Sequence, residues 1–140
     1  DLIAQVAEKH GSQAMVVAID VRHEGDGYGV YIENGRTRIN TSLDVWAVEA
    51  VRRGAGEIFL NSIDRDGTAS GYDLRLIQHV CDLVDVPVVA CGGAGTFEDF
   101  VEVFSETSVS AAAGGNIFNF TENAYIRAKK LLREEGINVR

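Results

Sequence analysis

The sequence predicts an α/β fold built on a parallel sheet, and two observations carry that reading. Apolar, β-branched runs alternate with helix-period stripes in four successive β-then-α units after an opening helix, and the strand-to-helix connections are rich in Gly and Asp. Such alternation means parallel strands joined by right-handed crossovers. With 140 residues, 46% of them hydrophobic and 24% charged, the chain can bury one core, so a single domain over 1–140 is expected.

Leu2, Ile3, Val6 and Ala7 recur at helical spacing up to Gly11, which predicts a helix over 1–10. Met15-Val16-Val17-Ala18-Ile19-Asp20 is a continuous apolar run ending in a carboxylate, the pattern of a strand covered on both faces. Alternation from Tyr28 to Asn40 around Asn34-Gly35 predicts a two-stranded flap closed by a type I′ turn. A helix follows over 43–53, with Leu43, Val45, Trp46, Val48 and Val51 as its apolar stripe, and it ends at Gly54. Next come a strand over 57–62, the loop 64–71, a helix over 73–84, and a strand over 86–91 opened by the only proline, Pro87. Gly92-Gly93-Ala94-Gly95 then leads into a helix capped by Thr96. The last unit is a strand over 109–113, the loop Gly114-Gly115-Asn116 and a helix over 122–135.

A net charge of −8 argues against a nucleic-acid partner, which normally meets a basic face. It does not exclude a small anion, because backbone N–H groups bind phosphate without Lys or Arg. Cys81 and Cys91 lack CxxC spacing, which fits a reducing cytoplasm better than a disulfide scaffold. No apolar run reaches the length of a membrane span and the N-terminus has no signal-peptide pattern, so no membrane partner is expected and the expected location is cytoplasmic.

In parallel α/β folds, ligands sit at the C-terminal ends of the strands. Here those ends carry Asp20, then Asn61 with Asp64, Asp66 and Gly67 beyond it, then Cys91-Gly92-Gly93, then Gly114-Gly115-Asn116. One Gly-rich turn before a helix is as compatible with a plain tight turn as with an anion site. Two of them after consecutive strands read as a phosphate cup, as in barrels that bind phosphate after strands seven and eight. Asp20, at the end of a buried strand, is costly unless paired or used, so it is a candidate general acid or base. Asp64 and Asp66 fit metal ligation, turn formation or substrate binding, with turn formation expected for at least one. Cys91 has no histidine in any neighbouring unit, which makes it a lining residue rather than a nucleophile. His10, His23 and His79 are scattered, so neither a metal site nor a nucleophilic triad is predicted.

Val17-Ala18-Ile19-Asp20, Gly54-Ala55-Gly56-Glu57-Ile58, Ser62-Ile63-Asp64-Arg65-Asp66-Gly67-Thr68, Gly71-Tyr72-Asp73 and Gly92-Gly93-Ala94-Gly95 resemble, in order and spacing, the cyclase subunit of imidazole glycerol phosphate synthase. The resemblance runs to the closing Gly136-Ile137-Asn138-Val139-Arg140. It implies half of a (βα)8 TIM barrel, four parallel βα units plus an N-terminal helix, corresponding to strands five to eight of the parent. It also implies an ammonia-dependent cyclase of histidine biosynthesis that acts on a bisphosphorylated aminoimidazole carboxamide ribonucleotide, with a glutaminase partner and no cofactor. By resemblance Asp20 is the second catalytic aspartate. Asp66, Gly67, Gly93, Gly115 and Asn116 match phosphate-contacting positions, Asn61, Asp64 and Cys91 line the pocket, and Glu57 matches an ammonia gate. The first catalytic aspartate and its phosphate site belong to the half not represented.

Cys91 stands where the histidine-pathway enzymes usually have serine, and Gly115-Asn116 where they usually have Ala-Ser. With Asn61 and Asn123, these departures lean toward the paralogues of surface-sugar amidation, which pass ammonia to a sugar-modifying partner. A third alternative is a phosphate-binding half-barrel without turnover. A half-barrel exposes two sheet edges and its interior face, so the chain is expected to close a full barrel as a two-fold homodimer.

Overall fold

A computed structural model describes residues 1–139. Helix α1 (Leu2–His10) begins where the Asp1 side chain accepts from the Ile3 amide and ends at Gly11, whose φ of 84° suits a residue without a Cβ. Strands β1 (Val16–Glu24), β2 (Gly27–Ile32) and β3 (Thr37–Ser42) follow, then helix α2 (Leu43–Arg52). After these come β4 (Glu57–Ser62), α3 (Leu74–Leu83), β5 (Val88–Cys91), α4 (Phe97–Glu106), β6 (Ala111–Ala112), α5 (Asn116–Phe120) and α6 (Ala124–Glu134). The strands form one sheet in the order β3-β2-β1-β4-β5-β6. β1, β4, β5 and β6 are parallel, whereas β2 and β3 add to the β1 edge antiparallel.

The predicted α/β half-barrel is present, with four parallel strands, the first followed by a helix after the β2–β3 hairpin and the others followed by one through a loop. Its core is the helix-facing side of the sheet. Val17, Ile19, Val21, Ile58, Leu60, Val88 and Ala90 pack there against Leu43, Ala47, Leu76, Val80, Phe100 and Val103.

Several details differ from the sequence reading. The run 15–20 suggested a strand covered on both faces, yet burial alternates along β1 and Val16 is 47% exposed. Val16, Ala18, Phe59, Val89 and Ala111 face the side that would become a barrel interior, where Val16 and Ala18 are exposed and the other three half-buried. The expected two-stranded flap is present as β2 and β3 and is continuous with the sheet, because β1 runs four residues past Asp20 and pairs with β2 from Asp20 to Glu24. Its tip, however, is no two-residue turn. Glu33, Asn34 and Gly35 are all left-handed, and the Arg36 amide reaches back to the Ile32 carbonyl at 3.2 Å.

On α2 the buried positions are Leu43, Ala47 and Ala50, while Val45 (62%) and Val48 (47%) are exposed. The small alanines at i+4 and i+7 let the helix sit close to the sheet, and the larger valines fall on the far side. The sixth strand is shorter than the expected 109–113. It has a partner on one side only, although the Ser110 and Ala113 amides still bond to Val88 and Ala90. The short helix α5 was not expected, and α6 starts two residues later than the predicted boundary.

Candidate active site

Parallel register brings the C-terminal ends of β1, β4 and β5 into line. Asp20 pairs with Asn61, and Asn61 with Cys91, so three half-buried side chains form one row on the open face of the sheet. The Asn61 Nδ2 donates to Asp20 Oδ1 at 3.1 Å. Beyond Cys91 lies a pocket of about 80 Å3, lined by residues of three successive loops, among them Asp66, Gly67, Gly93, Gly115 and Asn116. The chain thus gathers Cys91 and all five of the predicted phosphate-contacting residues into one concavity, with Asp20 at the far end of the row.

The loop after β4 is folded on itself and clamped to the next loop. The Asp66 amide donates to the Ser62 carbonyl at 2.9 Å, Arg65 Nη1 bonds to the carbonyls of Ser70 and Gly71, and the Gly71 amide donates to the Gly93 carbonyl at 3.0 Å. Gly92 (φ 92°) and Gly93 (φ 107°) are required by this packing. A Cβ on Gly93 would lie 2.1 Å from the Gly71 carbonyl oxygen, and one on Gly92 2.5 Å from that of Ser62. Tyr72 braces the pocket-lining Ala113 from behind, its hydroxyl donating to the Ala113 carbonyl at 2.8 Å, and burial pushes that hydroxyl well above the usual phenol range.

Not all the amides of the first Gly turn are free. Thr96 and Asp99 form a capping box in which the Gly95 and Thr96 amides both donate to Asp99 Oδ2 at 2.8 Å. Among the described residues, the amides of Gly93 and Ala94 on one side and of Gly115 and Asn116 on the other have no partner. Gly115 has φ −99° and nothing within 4 Å of a would-be Cβ, so its lack of a side chain serves open space rather than packing.

Asp64 stands apart from the pocket. Its Oδ2 accepts from the His23 amide at 2.6 Å and its Oδ1 lies 3.5 Å from Arg22, so it ties the β4 loop to the end of β1. Glu57 begins β4, at the opposite end from Asn61, and lines a different cavity of about 550 Å3 with Ala111, Phe118, Tyr125 and Lys129. That cavity is the larger, but it lies away from the row of strand ends and is walled largely by aromatic and aliphatic side chains. Cys91 is biased toward its neutral, less nucleophilic thiol. Burial, and then the neighbouring Asp66 and Asp20 charges, push its thiol up, while the Gly92 amide opposes them only in part. Tyr72, which holds the pocket-lining Ala113, escaped the sequence reading because its partner is a backbone carbonyl 41 residues away.

Residues 1–123 match the histidine biosynthesis protein family. The chain belongs to that family. It is 46% identical over 140 residues to imidazole glycerol phosphate synthase subunit HisF of Streptococcus mutans serotype c, covering 99% of this chain and 56% of that protein. HisF of Halalkalibacterium halodurans is 46% identical over 142 residues, and HisF of Lacticaseibacillus paracasei 44% over 141, again at 56% of their length. The chain therefore spans about half the length of the curated relatives it matches, and the resemblance carried by the blocks from Val17–Asp20 to Gly92–Gly95 extends over its length.

Proposed function

We propose that this chain supplies the catalytic second half, strands five to eight, of an ammonia-dependent cyclase. Its reaction would cleave and cyclise a bisphosphorylated aminoimidazole carboxamide ribonucleotide in histidine biosynthesis. The observation that carries the reading is the shared rim: a carboxylate at the end of β1 and a glycine-lined anion cup after β5 and β6, joined by one row of side chains. The Gly93, Ala94, Gly115 and Asn116 amides hold one substrate phosphate. Asp66, a carboxylate, is repelled by that anion and takes a hydroxyl or N–H of the substrate at the cup's edge. Asp20 exchanges protons with the reacting carbon framework. Ammonia enters from the opposite end of the strands, past Glu57, where a glutaminase partner docks.

The open interior face and two free edges support closure of a full barrel by a second copy. Among the described residues, β1 has no partner on its outer side over Val16–Ile19, and β6 has none beyond β5. A two-fold dimer pairs each free β1 edge with a β6 edge and sets two Asp20 residues across one pocket. The opening helix of one copy and the last helix of the other approach the same groove at each seam, so one of them packs outside.

The deciding experiment is turnover of the aminoimidazole substrate with an ammonium salt. Asp20→Asn is expected to lower it by roughly 10²–10⁴-fold while phosphate binding persists. Full turnover in that variant removes Asp20 from the chemistry. A second reading, ammonia channelling to a sugar-modifying partner, is favoured by Asn61 and Cys91 in the site row. No turnover of the aminoimidazole by the unaltered chain, with phosphate binding intact, removes the first reading and leaves this one beside a phosphate-binding half-barrel without turnover.

A further inference from the structure

One atom of the site row is unexplained by the roles above. Asn61 Oδ1 is shielded from solvent and accepts from no donor among the described residues, although Nδ2 of the same amide bonds to Asp20 Oδ1 at 3.1 Å. Buried polar atoms in folded proteins almost always find a partner, and one left without is destabilising. Asn is also a poor strand former, and the neighbouring strand residues Ile58, Phe59 and Leu60 are apolar. A leucine of nearly the same shape would remove the orphaned oxygen and suit the strand better. Stability therefore does not explain asparagine here. What the amide alone contributes is the N–H on Asp20.

The surroundings keep that N–H in place. A Cβ at Gly92 would lie 3.1 Å from Asn61 Oδ1, so the amide oxygen faces the Gly92 backbone while its nitrogen bonds to Asp20 on β1. Parallel register sets Asn61 directly beside Asp20 and leaves no intervening side chain. With Oδ1 held, the second carboxylate oxygen of Asp20 has no protein partner among the described residues and is left for a reacting group.

We propose that Asn61 is a positioning residue for Asp20, which fixes one carboxylate oxygen and presents the other to the open face, and that the fold tolerates an unpaired buried oxygen to do so. This rests on the proposed role of Asp20, and the test separates the two. Asn61→Leu is compared with the unaltered chain and with Asp20→Asn. The expected result is a melting midpoint equal to or above that of the unaltered chain, phosphate affinity within about twofold, kcat lower by about 10–100-fold and KM unchanged, since loss of orientation at a reacting group is felt in the transition state. A merely structural residue would instead lower the melting midpoint and leave the kcat of the folded fraction alone, and that result overturns the proposal. If Asp20→Asn keeps full turnover, the function assigned to Asp20 fails. If Asp20→Asn is inactive while Asn61→Leu is fully active, only the positioning role fails. A readout free of turnover comes from the Asn61 side-chain amide in a nitrogen-correlated NMR spectrum. The proton held by Asp20 is expected downfield of its twin and to move upfield in Asp20→Ala, and an unchanged pair refutes the contact.

Discussion

Substitution of Gly115 tests the anion cup more cleanly than any change in the better-known Gly-Gly turn. At Gly93 a Cβ would meet the Gly71 carbonyl oxygen at 2.1 Å and the Arg65 Cβ at 3.2 Å, on a residue with φ +107°. Gly93→Val must break the 3.0 Å bond from the Gly71 amide and adopt a backbone that L-residues avoid, a loss of about 3–5 kcal/mol in folding stability. A fall in phosphate affinity there would say nothing specific about phosphate. Gly115 has φ −99° and no atom within 4 Å of a Cβ, so Gly115→Val should fold with a stability within about 1 kcal/mol of the unaltered chain. Gly115 lines a pocket of only about 80 Å3, so a branched side chain at this position is expected to crowd an anion's approach to the Gly115 and Asn116 amides. Blocking one charge-assisted amide bond costs about 1.5–3 kcal/mol, or roughly a 10–150-fold rise in Kd. Titration calorimetry with inorganic phosphate reads the affinity and thermal unfolding reads the stability. An unchanged Kd in a folded Gly115→Val would refute the cup, whatever Gly93→Val does.

Tyr72→Phe leaves the Ala113 carbonyl, at the pocket wall, without its 2.8 Å donor; a loss of about 1–2 kcal/mol in chemical unfolding is expected, and none would mean that water replaces the hydroxyl. In a Cys81→Ser background, alkylation of Cys91 should be slow at neutral pH and accelerate only above the ordinary thiol value of 9.0, because burial and the Asp66 and Asp20 charges favour the neutral form. Asp66→Asn should shift that acceleration to lower pH, and a profile that does not move would show that Asp66 does not act on the thiol. Barrel closure predicts twice the 15.1 kDa chain mass by light scattering at micromolar concentration, and a monomer mass there overturns it.

The sequence by itself determined the order of elements and most of the site. Period-two and period-3.6 patterns and Gly or Thr punctuation are local, so the fourth strand at 57–62 and the helix starts at Asp73 and Thr96 were legible to within a residue. The Gly and Asp residues at strand ends were legible too, because parallel topology obliges all four ends to meet on one rim. Tertiary structure decided what depends on partners distant in the chain. It showed that Gly93 is demanded by Gly71, that Asp64 binds the His23 amide and lies outside the pocket, and that the Gly95 and Thr96 amides are taken by Asp99. It also turned an apolar strand that reads as doubly covered into one with a bare face, since hydrophobicity records that a face is to be buried and not which chain buries it. The Asn61–Asp20 bond is of the same kind: 41 residues separate the pair, and only parallel register makes them neighbours.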